Sequence, residues 1–187
     1  MKNLAIILFS SVLMMSGGAL AGPVISGEVG TRNIEFENDV DERANYMGGA
    51  FLWKFHMDRQ LSLGLGAGLT RNTMDYRDID MTYTDATFNG VLEYRVDRLT
   101  PYARYRYIIW SDGEAEDADM ENSGYDIAAG TGIALTRNLS LGVEFAFIAD
   151  QEIDFEQDVS FGPFTTTVEG DIEYDYTAFQ VSVSYRL

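Results

Sequence analysis

The sequence predicts an all-β fold: an antiparallel, up-and-down barrel of eight strands that crosses a membrane. Three observations predict it, namely side-chain types that alternate with a period of two, an apolar face on each alternating segment, and connections that are short and long in turn. The clearest segment is residues 61–70, where odd positions are aliphatic and even positions are glycine or a small hydroxyl residue. Its glycines leave space for large neighbours in a crowded interior, so the aliphatic face is expected to contact lipid.

Residues 1–21 are expected to be a cleaved secretory signal peptide, followed by one barrel domain over residues 22–187. Lys2 supplies a positive start, residues 4–15 an apolar stretch, and Ala19 and Ala21 the small residues of a cleavage site. A membrane-spanning helix would need about 20 apolar residues, and this stretch is shorter. The chain contains no cysteine, which excludes disulfide bonds and cysteine-based metal or redox sites.

The first four strands are expected over residues 23–36, 46–55, 61–74 and 82–96, where the alternation continues. Each is long enough to cross a bilayer, since a tilted strand does so in about 9–11 residues. Their outward faces carry Ile25 and Val29; Met47, Phe51, Trp53 and Phe55; the odd positions from Leu61 to Leu69; and Ala86, Phe88, Leu92, Tyr94 and Val96.

The last four strands are expected over residues 100–110, 124–135, 139–150 and 171–187, from the same alternation. Aromatic side chains near several strand ends are typical of the girdles that mark the two membrane interfaces. The outward faces carry Ala103, Tyr105, Tyr107 and Ile109; Tyr125, Ile127, Ala129, Ile133 and Leu135; Leu139, Leu141, Val143, Phe145 and Phe147; and Phe179, Val181, Val183, Tyr185 and Leu187.

The connections alternate in length along the chain. Residues 56–60, 97–98 and 136–138 form short turns, whereas the connections near residues 37–45, 75–81, 111–123 and 151–170 are long. In bacterial outer-membrane barrels the short turns are periplasmic and the long loops extracellular, so both termini are expected in the periplasm. The last long connection alternates apolar and polar residues on both sides of Gly162 and Pro163, which predicts a hairpin. Its edge is available to pair with a partner strand, but its abundant acids equally oppose such pairing, and the alternative is a hairpin that only makes the loop rigid.

Three stretches carry a resemblance to known proteins: residues 46–51 (Tyr-Met-Gly-Gly-Ala-Phe), residues 99–107 (Leu-Thr-Pro-Tyr-Ala-Arg-Tyr-Arg-Tyr) and the final strand over residues 179–187. Together with the alternation they resemble the small eight-stranded outer-membrane barrels, namely the OmpX/Ail type, the OmpA transmembrane domain and the opacity proteins. The resemblance implies a place in the outer membrane of a Gram-negative bacterium, in contact with lipid and lipopolysaccharide. It also implies folding by the barrel-assembly machinery, which in these families reads a final aromatic residue where this chain has Leu187.

Ten charged residues are expected to point into the barrel. A buried charge persists only when it is paired and hydrogen-bonded, so together they are expected to form an ionic network that fills the interior. Arg104 is expected to lie diagonally from Glu93 across the turn that joins their strands. An eight-stranded barrel has room only for its own side chains, which favours a plug over a gated ion path. The ten residues are Glu28, Arg32, Lys54, Glu93, Arg95, Arg104, Arg106, Asp126, Glu144 and Arg186.

The long connections hold most of the acidic residues, which number 30 against 13 lysines and arginines. Such a surface repels nucleic acid, heparin and the phosphates of lipopolysaccharide, and it attracts cations or basic proteins. Carboxylates crowd between residues 111 and 123, and hard oxygen ligands suit Ca²⁺ or Mg²⁺. Their spacing does not match a calcium-binding loop. Diffuse contacts with divalent cations are therefore expected, without a specific metal site or a cofactor, at Asp112, Glu114, Glu116, Asp117, Asp119 and Glu121.

No catalytic constellation is expected. His56 is the only histidine, and no His-x-Ser motif follows it, so an activated nucleophile lacks an evident base. The expected function is a non-enzymatic, monomeric outer-membrane barrel that displays acidic loops, with a structural, envelope-integrity or adhesion-type role. A small channel or porin-like transport protein is the alternative. A soluble periplasmic carrier of lipocalin type is a further alternative, in which the aliphatic faces would line the interior.

Overall fold

A computed structural model describes residues 20–36, 40–76, 79–115, 118–161 and 164–187. They form eight strands, namely β1 (Leu20–Phe36), β2 (Val40–His56), β3 (Leu61–Tyr76), β4 (Ile79–Tyr94), β5 (Leu99–Ala115), β6 (Ala118–Ala134), β7 (Leu139–Phe161) and β8 (Phe164–Arg186). Each strand pairs antiparallel with the next, and β8 returns to pair with β1, so the sheet closes into a barrel. The predicted fold class and strand number are confirmed. The expected signal peptide falls almost entirely outside the described residues and stays a prediction.

The aliphatic faces of the strands lie on the outside of the barrel. Leu69 is 58% exposed and Phe145 is 49% exposed, whereas Arg104 of the opposite face is 7% exposed. This arrangement contradicts the lipocalin-type alternative, which needs the aliphatic side chains inside and the charged ones in water. A continuous apolar exterior is stable when lipid surrounds it. The closed sheet also suits lipid, because its backbone N–H and C=O groups form hydrogen bonds between strands and few are left unpaired. The described residues include no helix of the length and hydropathy needed to cross a bilayer.

Three short turns lie at one end of the barrel, which we call the turn end. They join β2 to β3, β4 to β5 and β6 to β7, as the sequence predicts. In the first turn the Asp58 carboxylate accepts hydrogen bonds from the backbone N–H groups of Leu61 and Gln60, each at 2.6 Å. These two bonds favour the charged carboxylate and hold its pKa below the usual value.

The four long connections differ from the loops that the sequence predicts, because most of their residues continue the strands. The ladder between β7 and β8 reaches the pair Phe161 and Phe164, and the ladder between β5 and β6 reaches Ala115 and Ala118. The barrel therefore ends in four hairpins at what we call the hairpin end. Their alternation is less visible in sequence because the outward positions change from apolar to acidic residues once the strands leave the apolar belt. The hairpin expected over residues 151–170 is confirmed.

Two bulges change which residue parity faces inward. Ile109 on β5 is inserted between the residues that pair with Ala86 and Thr87, and both Ile109 and Trp110 are exposed. A second irregularity on β7 follows Ala146. Beyond each bulge the odd positions turn inward, which places Ser111 and Gln151 inside the barrel.

Candidate functional site

A cluster of five charged side chains occupies the middle of the barrel interior. Arg104 on β5 lies 2.9 Å from Glu28 and 2.5 Å from Glu144, while Arg106 lies 3.1 Å from Glu28 and 2.6 Å from Asp126. We call Glu28, Arg104, Arg106, Asp126 and Glu144 the central ionic cluster. All five are buried. At these distances the attraction between the buried charges offsets part of the cost of removing them from water. Removing one member leaves its partner without a compensating charge, so the five depend on one another.

The strand register explains how this cluster assembles. Arg104 and Arg106 are two positions apart on β5, so they share the inward face. Asp126 is the direct partner of Arg106 across the ladder with β6. Glu28 comes from β1 on another part of the wall, and its carboxylate reaches both arginines. One acid therefore ties together two cations that neighbour each other on one strand.

Arg32 lies next to this cluster and is held in a different way. Its guanidinium stacks between two aromatic rings, 4.7 Å from the ring centre of Tyr46 and 4.6 Å from that of Tyr176. Arg32 is 1% exposed and forms no ion pair with any carboxylate that the structure describes. Cation–π contacts strengthen when the charge is desolvated. The Tyr176 hydroxyl in turn donates a 2.7 Å hydrogen bond to Asp126, which links the stack to the central ionic cluster.

A second layer, toward the hairpin end, contains amides and tyrosines around one buried acid. Asn72 donates a 2.8 Å hydrogen bond to Asp85, and Asn122 lies 3.4 Å from the same carboxylate. Tyr174 donates to Gln151 at 2.6 Å. We call this the amide–tyrosine layer. Its members are Asn72, Tyr83, Asp85, Asn122, Gln151 and Tyr174, all buried.

Apolar side chains close the interior beyond that layer. Tyr83 and Tyr174 belong to one continuous core cluster with side chains from the bases of the four hairpins. The apolar members at this level are Ile34, Met74, Met81, Ala115, Met120 and Ile153, with Phe155 and Ile172 packed against them. Unbranched methionines fill irregular space well. The interior is thus occupied at three successive levels by the chain's own side chains.

The turn end of the interior is open. A cavity of about 170 Å³ lies there, with Glu28, Arg104 and Glu144 of the central ionic cluster as its floor and turn residues at its mouth. On its wall Lys54 and Glu93 form an ion pair at 2.5 Å. His56 Nδ1 lies 2.8 Å from the Ser62 hydroxyl. We call this space the turn-end cavity.

The structure places the ten predicted interior residues in three groups. Seven of them pair with one another, either in the central ionic cluster or as Lys54 with Glu93. Arg104 lies diagonally from Glu93 across the β4–β5 ladder, as expected, since Arg104 faces Val91 and Glu93 faces Tyr102. The two side chains do not form an ion pair, because Arg104 points toward β1 and β7, and Lys54 on β2 is the partner of Glu93. Within the described residues, Arg32, Arg95 and Arg186 have no carboxylate partner, and Arg95 is exposed at the mouth of the turn-end cavity.

Sequence reasoning missed the polar residues that complete the network. On β4 the even positions from Ala86 to Val96 face outward, so the odd positions, including Asp85, face inward. Alternation alone could therefore have identified Asp85. Tyr176 and Gln180 likewise share the inward parity of β8. Gln151 could not be found in this way, because the bulge on β7 reverses the parity before it.

The structure brings the Ser62 hydroxyl into contact with His56, six positions earlier in the chain, although no His-x-Ser motif marks the pair in the sequence. A serine and a histidine in hydrogen-bond contact are two parts of a nucleophilic site. Ser62 is 7% exposed, and no carboxylate of the described chain hydrogen-bonds to the His56 ring. The third group that orients the base in such sites is therefore not formed by the described residues.

The outer face of the β7–β8 hairpin carries a ladder of like charges, which we call the acidic ladder. Three pairs of acids stand directly opposite one another: Glu152 with Glu173, Asp154 with Asp171, and Glu156 with Glu169. Like charges in such positions destabilise a sheet. Repulsion from Asp154, followed by weaker effects that include Asp171 and Glu173, raises the pKa of Glu152.

Four of the six predicted divalent-cation residues lie on the strands β5 and β6 rather than in a loop. Asp112, Glu114, Asp119 and Glu121 are exposed, and Glu114 faces Asp119 across the ladder. Glu116 and Asp117 fall outside the described residues. In the part of the chain that the structure describes, no three acidic or histidine side chains converge as a metal site.

Comparisons with known proteins agree with this architecture. A family model described as the outer membrane protein beta-barrel domain matches residues 7–186. Neisserial surface protein A (NspA) is similar in structure, with a TM-score of 0.54 and 8% identity over 90% of this chain and 99% of that chain. The outer membrane protein OprG from Pseudomonas aeruginosa has a TM-score of 0.50 and 11% identity over 91% of this chain and 98% of that chain. At these identities the likeness shows the fold alone. No curated protein matches this sequence.

Proposed function

Because this chain belongs to the outer membrane protein beta-barrel domain family, and so to the outer membrane of Gram-negative bacteria, we propose that it displays acidic hairpins at the cell surface. In this proposal the barrel is a non-enzymatic monomer that serves envelope integrity or surface interaction. The acidic ladder is the observation that carries it. Three opposed pairs of like charges lower the stability of the folded hairpin. In this proposal a cationic partner that binds them accounts for their placement.

The chemistry of that partner follows from the field of the hairpin end. Acids on the β5–β6 and β7–β8 hairpins are exposed and have few basic residues near them in sequence. Such a field attracts divalent cations and basic peptides or proteins, and it repels nucleic acid. The aliphatic belt contacts the membrane lipid, and the barrel-assembly machinery is the expected partner during insertion.

The proposal places the hairpin end outside the cell and both termini in the periplasm. The short turns at one end and the long hairpins at the other support it, since bacterial barrels have this asymmetry. An epitope inserted between Phe161 and Phe164 should be detected by antibody on intact cells. The same epitope after Leu187 should be detected only after permeabilisation, and the reverse pattern would overturn the proposed orientation.

The main test measures cation and basic-ligand binding at the acidic ladder. Replacing Glu152, Asp154, Asp171 and Glu173 by their amides should weaken the binding of Ca²⁺ and of a lysine-rich peptide to the purified barrel. The control replaces Asp58 and Asp97, exposed acids in turns at the opposite end of the barrel, and should leave binding unchanged. Equal binding by the wild type and both variants contradicts the proposal. A pull-down from intact cells with and without chelator then tests whether a surface partner depends on divalent cations.

A small channel is the alternative function, and the filled interior argues against it. The central ionic cluster, the amide–tyrosine layer and the apolar side chains beyond them occupy successive levels, and an eight-stranded barrel has little further room. Planar-bilayer recordings of the purified protein should therefore show no reproducible conductance steps. Steps that a mutation of Asp126 or Arg106 alters would establish a path through the cluster instead.

The proposal of a non-enzymatic role has its own test at Ser62. Two observations support the non-enzymatic role: the Ser62 hydroxyl is buried, and no described carboxylate hydrogen-bonds to His56. A fluorophosphonate probe, which labels activated serines, should leave the folded barrel unlabelled. Labelling that Ser62→Ala abolishes would show an activated nucleophile and contradict the proposal.

A further inference from the structure

We propose that the turn-end cavity binds a small phosphate-bearing anion. This inference does not depend on the function proposed for the hairpin end, because it concerns the opposite end of the barrel and the opposite sign of charge. The charged groups that line the cavity are five cations and three carboxylates. They are Lys54, Arg95, Arg104, Arg137 and Arg186, and Glu28, Glu93 and Glu144.

The carboxylates are all engaged by two of the five cations. Glu93 pairs with Lys54 at 2.5 Å, and Glu28 and Glu144 both pair with Arg104 on the floor. Three cations on the cavity wall therefore stay without a counterion among the described residues, namely Arg95, Arg137 and Arg186.

The three arginines come from different parts of the turn end and share one space. Arg95 follows β4, Arg137 lies in the turn between β6 and β7, and Arg186 ends β8. The backbone N–H of Arg186 donates a 2.8 Å hydrogen bond to the carbonyl oxygen of Asn138, which brings the last two together. With five cations against three carboxylates the wall has an excess of positive charge, and a concave site with such an excess focuses the field and raises the local concentration of anions.

The rest of the wall suits the oxygens of a phosphate ester. Hydroxyl side chains line the cavity on several strands, and each can donate one hydrogen bond. Guanidinium groups bind phosphate oxygens in pairs, which favours phosphate over a spherical anion. The hydroxyl residues include Thr100, Ser140, Ser182 and Ser184.

The size of the cavity limits the ligand. At about 170 Å³ it is comparable to engineered cavities of about 150 Å³ that hold a benzene-sized molecule. A phosphate group with a short hydroxylated remainder, such as glycerol phosphate, fits this space. Two sources supply that chemistry, namely a free phosphate ester or the headgroup of a phospholipid in the leaflet that surrounds the turn end.

The test measures anion binding by the full barrel in nanodiscs made of a zwitterionic lipid. Titration with glycerol phosphate and with inorganic phosphate at physiological salt should give saturable binding by calorimetry or by NMR shifts of turn-end amides. The variant R95Q/R137Q/R186Q should bind at least about tenfold more weakly, which corresponds to about 1.4 kcal/mol. Arg137 is exposed in a turn, so Arg137→Gln alone provides a variant whose folding is not in question.

The control is R59Q/R98Q, which removes two arginines from turns at the same end that do not line the cavity, and R137Q/R186Q is the cavity variant that matches it in charge. The affinity of R59Q/R98Q should stay within about twofold of the wild type, since surface charges act weakly at this salt. Equal losses in both variants, or no saturable binding by the wild type, would overturn the proposal. Nanodiscs containing phosphatidylglycerol identify the source: weaker apparent binding of glycerol phosphate there indicates the lipid headgroup, and unchanged binding indicates a free ester.

Discussion

The central ionic cluster and the acidic ladder are both dense in charge, yet their arrangements are opposite. In the central ionic cluster each carboxylate lies within about 3 Å of a guanidinium, and all five side chains are buried. On the β7–β8 hairpin, carboxylates face carboxylates and all are accessible to solvent ions.

The difference shows where the fold constrains charge. In the interior, an uncompensated charge costs several kcal/mol, so the fold itself requires a compensating group for each charge. That group is an opposite charge in the central ionic cluster, two tyrosine rings at Arg32 and amide donors at Asp85. At the surface, water and salt reduce the repulsion to a level that the barrel tolerates, with a screening length of about 10 Å at 0.1 M ionic strength. The interior arrangement is therefore explained by stability, whereas the exterior arrangement requires a reason outside the fold. Four predictions test this contrast, in order of decreasing effect.

The largest effect is expected from Glu28→Gln. The change removes the carboxylate that contacts both Arg104 and Arg106, and the loss of one member of a buried ion pair costs about 3–5 kcal/mol. Denaturant unfolding of the barrel in lipid vesicles measures it. In double-mutant cycles Arg104 should couple to Glu28 by about 0.5–3 kcal/mol and should not couple measurably to Glu93. Comparable coupling to Glu93 would break the assignment of partners.

Gly66→Ala tests whether the interior wall is as close-packed as the cluster beside it. A Cβ at this position would overlap the Phe51 carbonyl oxygen and lie 2.8 Å from the Leu52 Cα, so backbone must move. Overpacking of this kind costs about 1–3 kcal/mol. Gly27→Ala is the control because nothing lies within 4 Å of its Cβ, and equal unfolding free energies for the two variants would contradict the prediction.

The pair of Lys54 and Glu93 should show an intermediate effect, because it borders the open turn-end cavity. Its side chains are 13% and 14% exposed, against 8% and 7% for Arg104 and Glu28. Water at the cavity solvates the remaining partner, so Glu93→Gln should cost about 1 kcal/mol, near the upper limit for exposed pairs. A loss equal to that of Glu28→Gln, measured by the same unfolding experiment, would show that the cavity is not hydrated.

The smallest effect is expected from Glu152→Gln, and its sign is opposite. The pKa of Glu152 is raised by Asp154 first and by other acids around it, so its charged form opposes the folded hairpin. Stability from this group is present at low pH and is lost as pH rises through the raised pKa. The variant should therefore be more protected than the wild type at neutral pH in hydrogen exchange of hairpin amides.

Two conditions sharpen that measurement. The gain from Glu152→Gln should decrease near pH 4, where the wild-type carboxyl takes up a proton, and it should decrease in 1 M salt, where the screening length is about 3 Å. Asp158→Asn in the same hairpin is the control and should give no gain, because Asp158 faces Thr167 and accepts a hydrogen bond from its hydroxyl. A destabilised hairpin in Glu152→Gln at neutral pH would mean that the ladder has a stabilising role within the fold.

Alternation by itself identifies the outward belt, the short turns and most inward residues, because a strand turns successive side chains to opposite faces. It fails where a bulge changes parity, as before Ser111 and Gln151. It also fails to assign ion-pair partners. Glu28 and Arg104 lie 76 positions apart, and nothing local in either strand indicates their contact.

The sequence by itself determined that this chain forms a membrane barrel. It placed charged residues in the interior, a belt of apolar residues on the exterior, and acidic residues on the hairpins beyond that belt. Only the tertiary structure decided which charges meet, that Arg32 stacks on two tyrosines, and that three arginines share a cavity at the turn end. The physical reason is that side-chain direction follows from the local pleat. Partners across the interior depend on how closure, tilt and bulges bring distant strands to the same height.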